Sequence, residues 1–152
     1  MDQWVQILII ALLIIFLIFT YVFKRPSGSP KVNAATGILS DVSDNIKIME
    51  SRIANPQLKT KFELANWRRF KDKVGFLDDE VITSLDEAFA LAGEFNAGTN
   101  SIRNNKTLSA VQDMQLDKLK EPLSKSKAGL SDWLRANYQT EMQNSKKRGI
   151  FG

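Results

Sequence analysis

Residues 33–53 read NAATGILSDVSDNIKIMESRI, and the apolar positions Ala35, Leu39, Val42, Ile46, Met49 and Ile53 alternate spacings of four and three. That is the heptad seam of a helix packed lengthwise on other helices, as in a coiled coil. The seam is too short for a free-standing coiled coil, so it predicts one member of a bundle. Asn33 is the expected N-cap, and Ser40 is a second candidate start because Gly37 weakens the first turn.

On the low-number side, residues 26–33 (PSGSPKVN) are rich in Pro, Gly and Ser and read as a flexible linker. Extended, they reach at most about 25–28 Å. Before them stands WVQILIIALLIIFLIFTYVF, residues 4–23, which carries no charge and stops against Lys24, Arg25 and Pro26. At about 1.5 Å per residue this run makes a helix of about 30 Å, the hydrocarbon thickness of a bilayer. A cleaved signal peptide would need a basic start, a shorter apolar core and a small-x-small cleavage site. The sequence instead opens Met-Asp-Gln, and its apolar run ends in Tyr21, Val22 and Phe23. Residues 1–25 are therefore expected to be an uncleaved, single-pass transmembrane signal-anchor. Trp4 and Tyr21 are the expected interfacial residues, and Lys24 and Arg25 the cytoplasmic flank. By the positive-inside rule the N-terminus lies outside and the following domain in the cytoplasm, at the cell membrane. No Asp, Glu, Lys or Arg interrupts the run and it has no GxxxG pattern, so its expected task is placement rather than conduction or tight dimerisation.

On the high-number side, Asn55-Pro56 has the form of a cap followed by proline at the first helical position. A second helix is expected from there to Val74, with Leu58, Phe62, Ala65, Phe70 and Val74 on its apolar face. A third is expected after Asp78 or Asp79, carrying Leu77, Val81, Leu85, Ala88, Ala92 and Phe95 inward, with Asp78, Asp79 and Glu80 favoured by the dipole at its start. Gly98, Asn100, Asn104 and Asn105 are expected to fray its end. Residues 107–117 read equally as a short helix or as a lead-in to the next. Leu116, Leu119, Leu123, Leu130, Trp133, Leu134 and Tyr138 define a fourth helix, its main part starting near Lys120 so that Pro122 is tolerated. Residues 34–145 thus form an all-α, antiparallel bundle of about four helices. Residues 146–152, with Lys146, Lys147 and Arg148, form an expected disordered basic tail.

The chain has no Cys and no His, which removes thiol chemistry, disulfides, the usual neutral-pH base and the commonest metal ligand. Its acidic residues lack the Glu-x-x-His companions of a bundle metal pair. No glycine-rich phosphate loop, dinucleotide fingerprint or addressed Ser/Lys nucleophile occurs. Asn105-Lys106-Thr107 matches a glycosylation sequon that a cytoplasmic loop would not use. No catalytic, cofactor or metal residues are therefore expected, nor enzymatic activity. Arg68, Arg69, Lys71 and Lys73, interleaved with Trp67 and Phe70, form the main basic patch. Charge complementarity with the acidic third helix accounts for much of it, leaving anionic lipid headgroups or a protein partner as secondary readings for these residues and for Lys146, Lys147 and Arg148. Beyond residue 23 the net charge is only +5, too little to imply nucleic acid. Trp67 and Trp133 are expected core anchors. The function expected is a membrane-anchored helical interaction or scaffold module for an unknown protein partner. The alternative is an accessory subunit of a membrane enzyme or transporter complex.

Overall fold

The computed structural model describes residues 29–101 and 116–150, with side chains placed for 29–99 and 116–140. Four α-helices and a 3₁₀ turn make up these residues: α1 (Pro30–Ala54), α2 (Ala65–Phe70) with the turn Lys71–Lys73, α3 (Asp79–Ser101) and α4 (Asp117–Ile150). No strand is present among them. None of these helices is long and apolar enough to cross a membrane. The expected anchor, with Trp4, Tyr21, Lys24 and Arg25, lies outside the described residues, as does most of 107–117.

α1 starts three residues before the expected Asn33. Ser29 caps it, its hydroxyl accepting from the Val32 N–H at 3.3 Å, and Pro30 takes the first helical position, where a missing N–H costs nothing. The buried face of α1 is also not the expected one. Ala35, Val42 and Met49 are inward as read, but the alternating positions are Ile38, Asn45 and Arg52 rather than Leu39, Ile46 and Ile53. Leu39 and Ile46 flank the core, and Ile53 is 48% exposed. The face is rotated by one residue because Asp41, Asn45 and Arg52 have partners inside, described below.

The second helix is the largest departure. Asn55-Pro56 opens a turn, not a helix: the Asn55 carbonyl accepts from Leu58 N–H at 3.0 Å and its side-chain oxygen from Gln57 N–H at 3.2 Å. The chain then runs without helix through Leu64, and only Ala65–Phe70 and the 3₁₀ turn are helical.

α3 and α4 follow their patterns closely. Leu77, Leu85, Ala88, Phe89, Ala92 and Phe95 are buried in or just before α3, and Leu116, Leu119, Leu123 and Leu130 on α4. α3 continues through Gly98 to Ser101, while Asn104 and Asn105, also expected in its frayed end, lie outside the described residues; α4 carries Pro122 in its second turn. Trp133 is half-buried, its ring 4.5 Å from that of Phe76, whereas Tyr138 is 54% exposed. The segment expected as a disordered tail is helical through Ile150.

Chain directions follow from these contacts. Gly129 of α4 lies against Val81 of α3, while residues 118–125 of α4 face 80–91 of α3, so the two are antiparallel. Lys31 lies 6.0 Å from the centroid of the Phe76 ring, which also meets Trp133, and the Arg52 guanidinium lies 5.7 Å from that of Phe95. α1 therefore runs parallel to α3, and α4 antiparallel to both. α1 and α3 each pack extensively on α4 and make few direct contacts with each other. Residues 55–78 return the chain between them, filling the place of a bundle helix.

Two glycines should respond oppositely to alanine. At Gly129 a Cβ would collide with the branched side chain of Val81, whereas at Gly93 it would meet nothing within 4 Å. Gly129→Ala is expected to cost about 1–3 kcal/mol through overpacking, and Gly93→Ala to add about 0.5–1 kcal/mol through helix propensity. Denaturant midpoints of the two variants check the opposite signs.

Candidate functional site

The buried polar residues of α1 converge on the return segment. An extended segment between helices cannot satisfy its own peptide groups, and each one buried without a partner costs about 1–3 kcal/mol. Here two carboxamides take the place of a neighbouring strand. Asn45 of α1 accepts from Glu63 N–H at 2.6 Å and donates its side-chain N–H to the Glu63 carbonyl at 2.8 Å. Asn96 of α3 does the same for Phe62, accepting at 2.8 Å and donating at 2.9 Å. Adjacent residues are thus held by two different helices, and both helices bond the peptide unit between them.

One turn earlier on α1, Asp41 supplies the cap that α2 lacks. Leu64, at the N-cap position of α2, makes no side-chain cap bond. The Asp41 carboxylate accepts instead from Asn66 N–H at 2.8 Å and Trp67 N–H at 3.2 Å, with its other oxygen accepting from the Asn66 side chain at 2.8 Å. These are the N–H groups that a local capping side chain would bind. The Trp67 ring then stacks on Phe89 of α3, with centroids 5.0 Å apart and planes at 7°. Phe62 is buried and tilts against Phe95 at 5.8 Å, and the Arg52 guanidinium lies 5.5 Å from the Phe62 ring centre. Stacking a guanidinium on ring faces is a favourable way to hold a cation that is only 4% exposed.

This clamp presents the basic patch. With Trp67 inward and Phe70 half-buried, Arg68, Arg69, Lys71 and Lys73 are all exposed. Arg69 lies alongside the Phe70 ring, 5.2 Å from its centroid. The expected pairing of this patch with α3 is not seen as ion pairs. Among the described residues the ion pairs Lys47–Asp44, Lys125–Glu121 and Arg135–Asp132 each lie within one helix. Lys146, Lys147 and Arg148 occupy the last turns of α4 and are not brought beside the patch by any described contact.

Between α3 and α4 lies an open groove of about 670 Å³, lined by Glu80, Glu87 and Leu91 on one side and Lys118, Glu121 and Lys125 on the other. Lys125 bonds Glu121 at 2.9 Å, and this hydrogen bond, then the charge of Glu121 and the more distant Glu80 and Glu87, raise its pKa above the ordinary lysine value. Among the described residues no group of three or more acidic side chains is placed to hold a metal ion.

Asp41, Asn45, Arg52 and Asn96 were not singled out by sequence reasoning. The one available signal was their spacing: 41, 45 and 52 fall on one helical face, so the face was polar at regular intervals. No known protein family, curated protein or solved structure matches the chain.

Two expectations follow from this geometry. Asn45→Ala should leave both polar groups of Glu63 without their protein partner, lowering stability by about 1–3 kcal/mol. Hydrogen exchange would show the Glu63 amide losing its protection far more than the amides of α4. For Lys125, a folded-state pKa raised above the unfolded value contributes stability that is fully present below the unfolded pKa and is lost as pH rises through the folded one. Glu121→Gln should move the Lys125 titration, followed by NMR at its ammonium, back toward the ordinary value and remove that alkaline loss.

Proposed function

We propose that the chain is a single-pass, membrane-anchored helical module that holds an interaction surface at the cytoplasmic face of the cell membrane, without catalytic chemistry of its own. The observation that carries this reading is the uncharged run 4–23, followed by Lys24 and Arg25 and then, within six residues, by the Ser29-capped start of α1. An apolar run of that length inserts favourably, and the basic flank sets its orientation. A short tether then keeps the bundle at the bilayer surface.

The rest of the reading follows from what the bundle displays. The interior Asp41 and Asn45 are spent on holding the return segment, and the outward groups include charges on separate faces. Such a surface suits recognition by charge and shape. The partner is proposed to be a protein bound at the membrane, with the outer faces of the bundle as the docking surface.

Extraction and topology test the proposal together. The chain should stay with membranes through alkaline carbonate washing, and a reporter fused after Gly152 should be active only in the cytoplasm. Release by carbonate, or a reporter active only outside, would sink it. Replacing residues 4–23 by an unrelated anchor should leave partner capture intact. Loss of capture would favour the other reading, an accessory subunit whose span packs against those of a membrane enzyme or transporter.

A further inference from the structure

We infer that the last turns of α4, carrying Lys146, Lys147 and Arg148, are a second membrane contact that docks on anionic lipid headgroups. The inference rests on the proposed anchor. α4 runs antiparallel to α1, and Trp133 stands beside Phe76 and so near Lys31, at the start of α1. Beyond that point α4 continues through residues 134–150 as helix, about 25 Å at 1.5 Å per residue. It projects past the start of α1, the end at which the residues before Ser29 join the bundle. Residues 24–29, fully extended, span at most about 20 Å. The tether is therefore shorter than the overhang. With the bundle upright the end of α4 meets the bilayer, and with the bundle tilted α4 comes down on its surface.

The composition of the overhang fixes which layer it meets. Residues 134–150 include Arg135, Lys146, Lys147 and Arg148 against Glu141, with Gln139, Thr140, Gln143, Asn144 and Ser145 between them. Such a segment is far too polar for the hydrocarbon layer but suits an anionic headgroup layer, where basic clusters beside a span are attracted. The acidic run Asp78, Asp79 and Glu80 starts α3 at the same end of the bundle, so the lipid surface is approached on the side of α4, away from α3. Arg68, Arg69, Lys71 and Lys73 lie lower on the flank, since Phe70 packs at Gly37 of α1, about 10 Å along the helix from its start.

The absence of cysteine makes the test direct. The full chain with Ser145→Cys carries a nitroxide and is reconstituted in vesicles of phosphatidylcholine, alone or mixed with phosphatidylglycerol. Collision with a water-soluble relaxing agent is then measured. The label should be shielded in the mixed vesicles and open in phosphatidylcholine. Shielding should vanish for K146E/K147E/R148E and at about 1 M salt, where the Debye length is about 3 Å, and should persist for K146R/K147R. A label equally open in both vesicles, or unaffected by the charge reversal, overturns the inference. So does shielding that appears only in native membranes, which would assign this end to a protein partner. Flotation of the same protein with phosphatidylcholine vesicles separates the two readings: no flotation means that the anchor fails, whereas flotation with an open label means that only the docking fails.

Discussion

Everything in this bundle depends on satisfying the peptide groups of a short extended segment held between two helices. A helix in that place would have bonded its own backbone. An extended chain needs acceptors and donors from its neighbours, and those neighbours are helices whose own backbone groups are already used. Only side chains remain, and a carboxamide is the one neutral side chain that presents a donor and an acceptor with the spacing of a peptide unit. Asn45 and Asn96 use both functions on Glu63 and Phe62. Asp41 needs only acceptors, because the N–H groups at a helix start have no other partner. The chemistry of each residue matches the backbone it meets.

Several levels of this arrangement were legible in the sequence. Apolar periodicity located α1, α3 and α4 and named most of the buried residues of α3 and α4, because those two helices pack mainly by hydrophobic contact along their length. The same periodicity misread α1 by one position on alternate turns. It counted Leu39, Ile46 and Ile53 as inward because they are apolar, when the inward residues are Ile38, Asn45 and Arg52. A hydrophobic pattern is blind to a polar side chain buried for the sake of a hydrogen bond. The misreading of residues 56–64 has the same root. Pro56 is compatible with a first helical turn and with position two of a tight turn, and local propensity does not separate them. The decision came from Asn45 and Asn96, 18 and 34 residues away in sequence.

The candidate contact residues were legible as charges but not as a surface. Arg68, Arg69, Lys71 and Lys73 face outward because Trp67 is drawn inward to Phe89 and because Asp41 fixes where α2 begins. Their placement depends on an acid on a different helix, which no local window includes. The directions of α1, α3 and α4 are those of the expected antiparallel bundle. What pattern reading missed is how far α4 runs past the start of α1, because its last turns through Ile150 carry no apolar periodicity and read as a tail.

The paired asparagines also have a mechanical consequence. α1 and α3 make few direct contacts and are aligned through what both pack on, α4 and the return segment. On that segment each grips one of two successive residues, with bonds of 2.6 to 2.9 Å. A slip of one residue along a helix axis is about 1.5 Å, enough to stretch such a bond beyond useful length. The extended segment therefore works as a gauge block between the two helices, adding polar bonds of fixed length to the axial alignment that their shared packing on α4 provides.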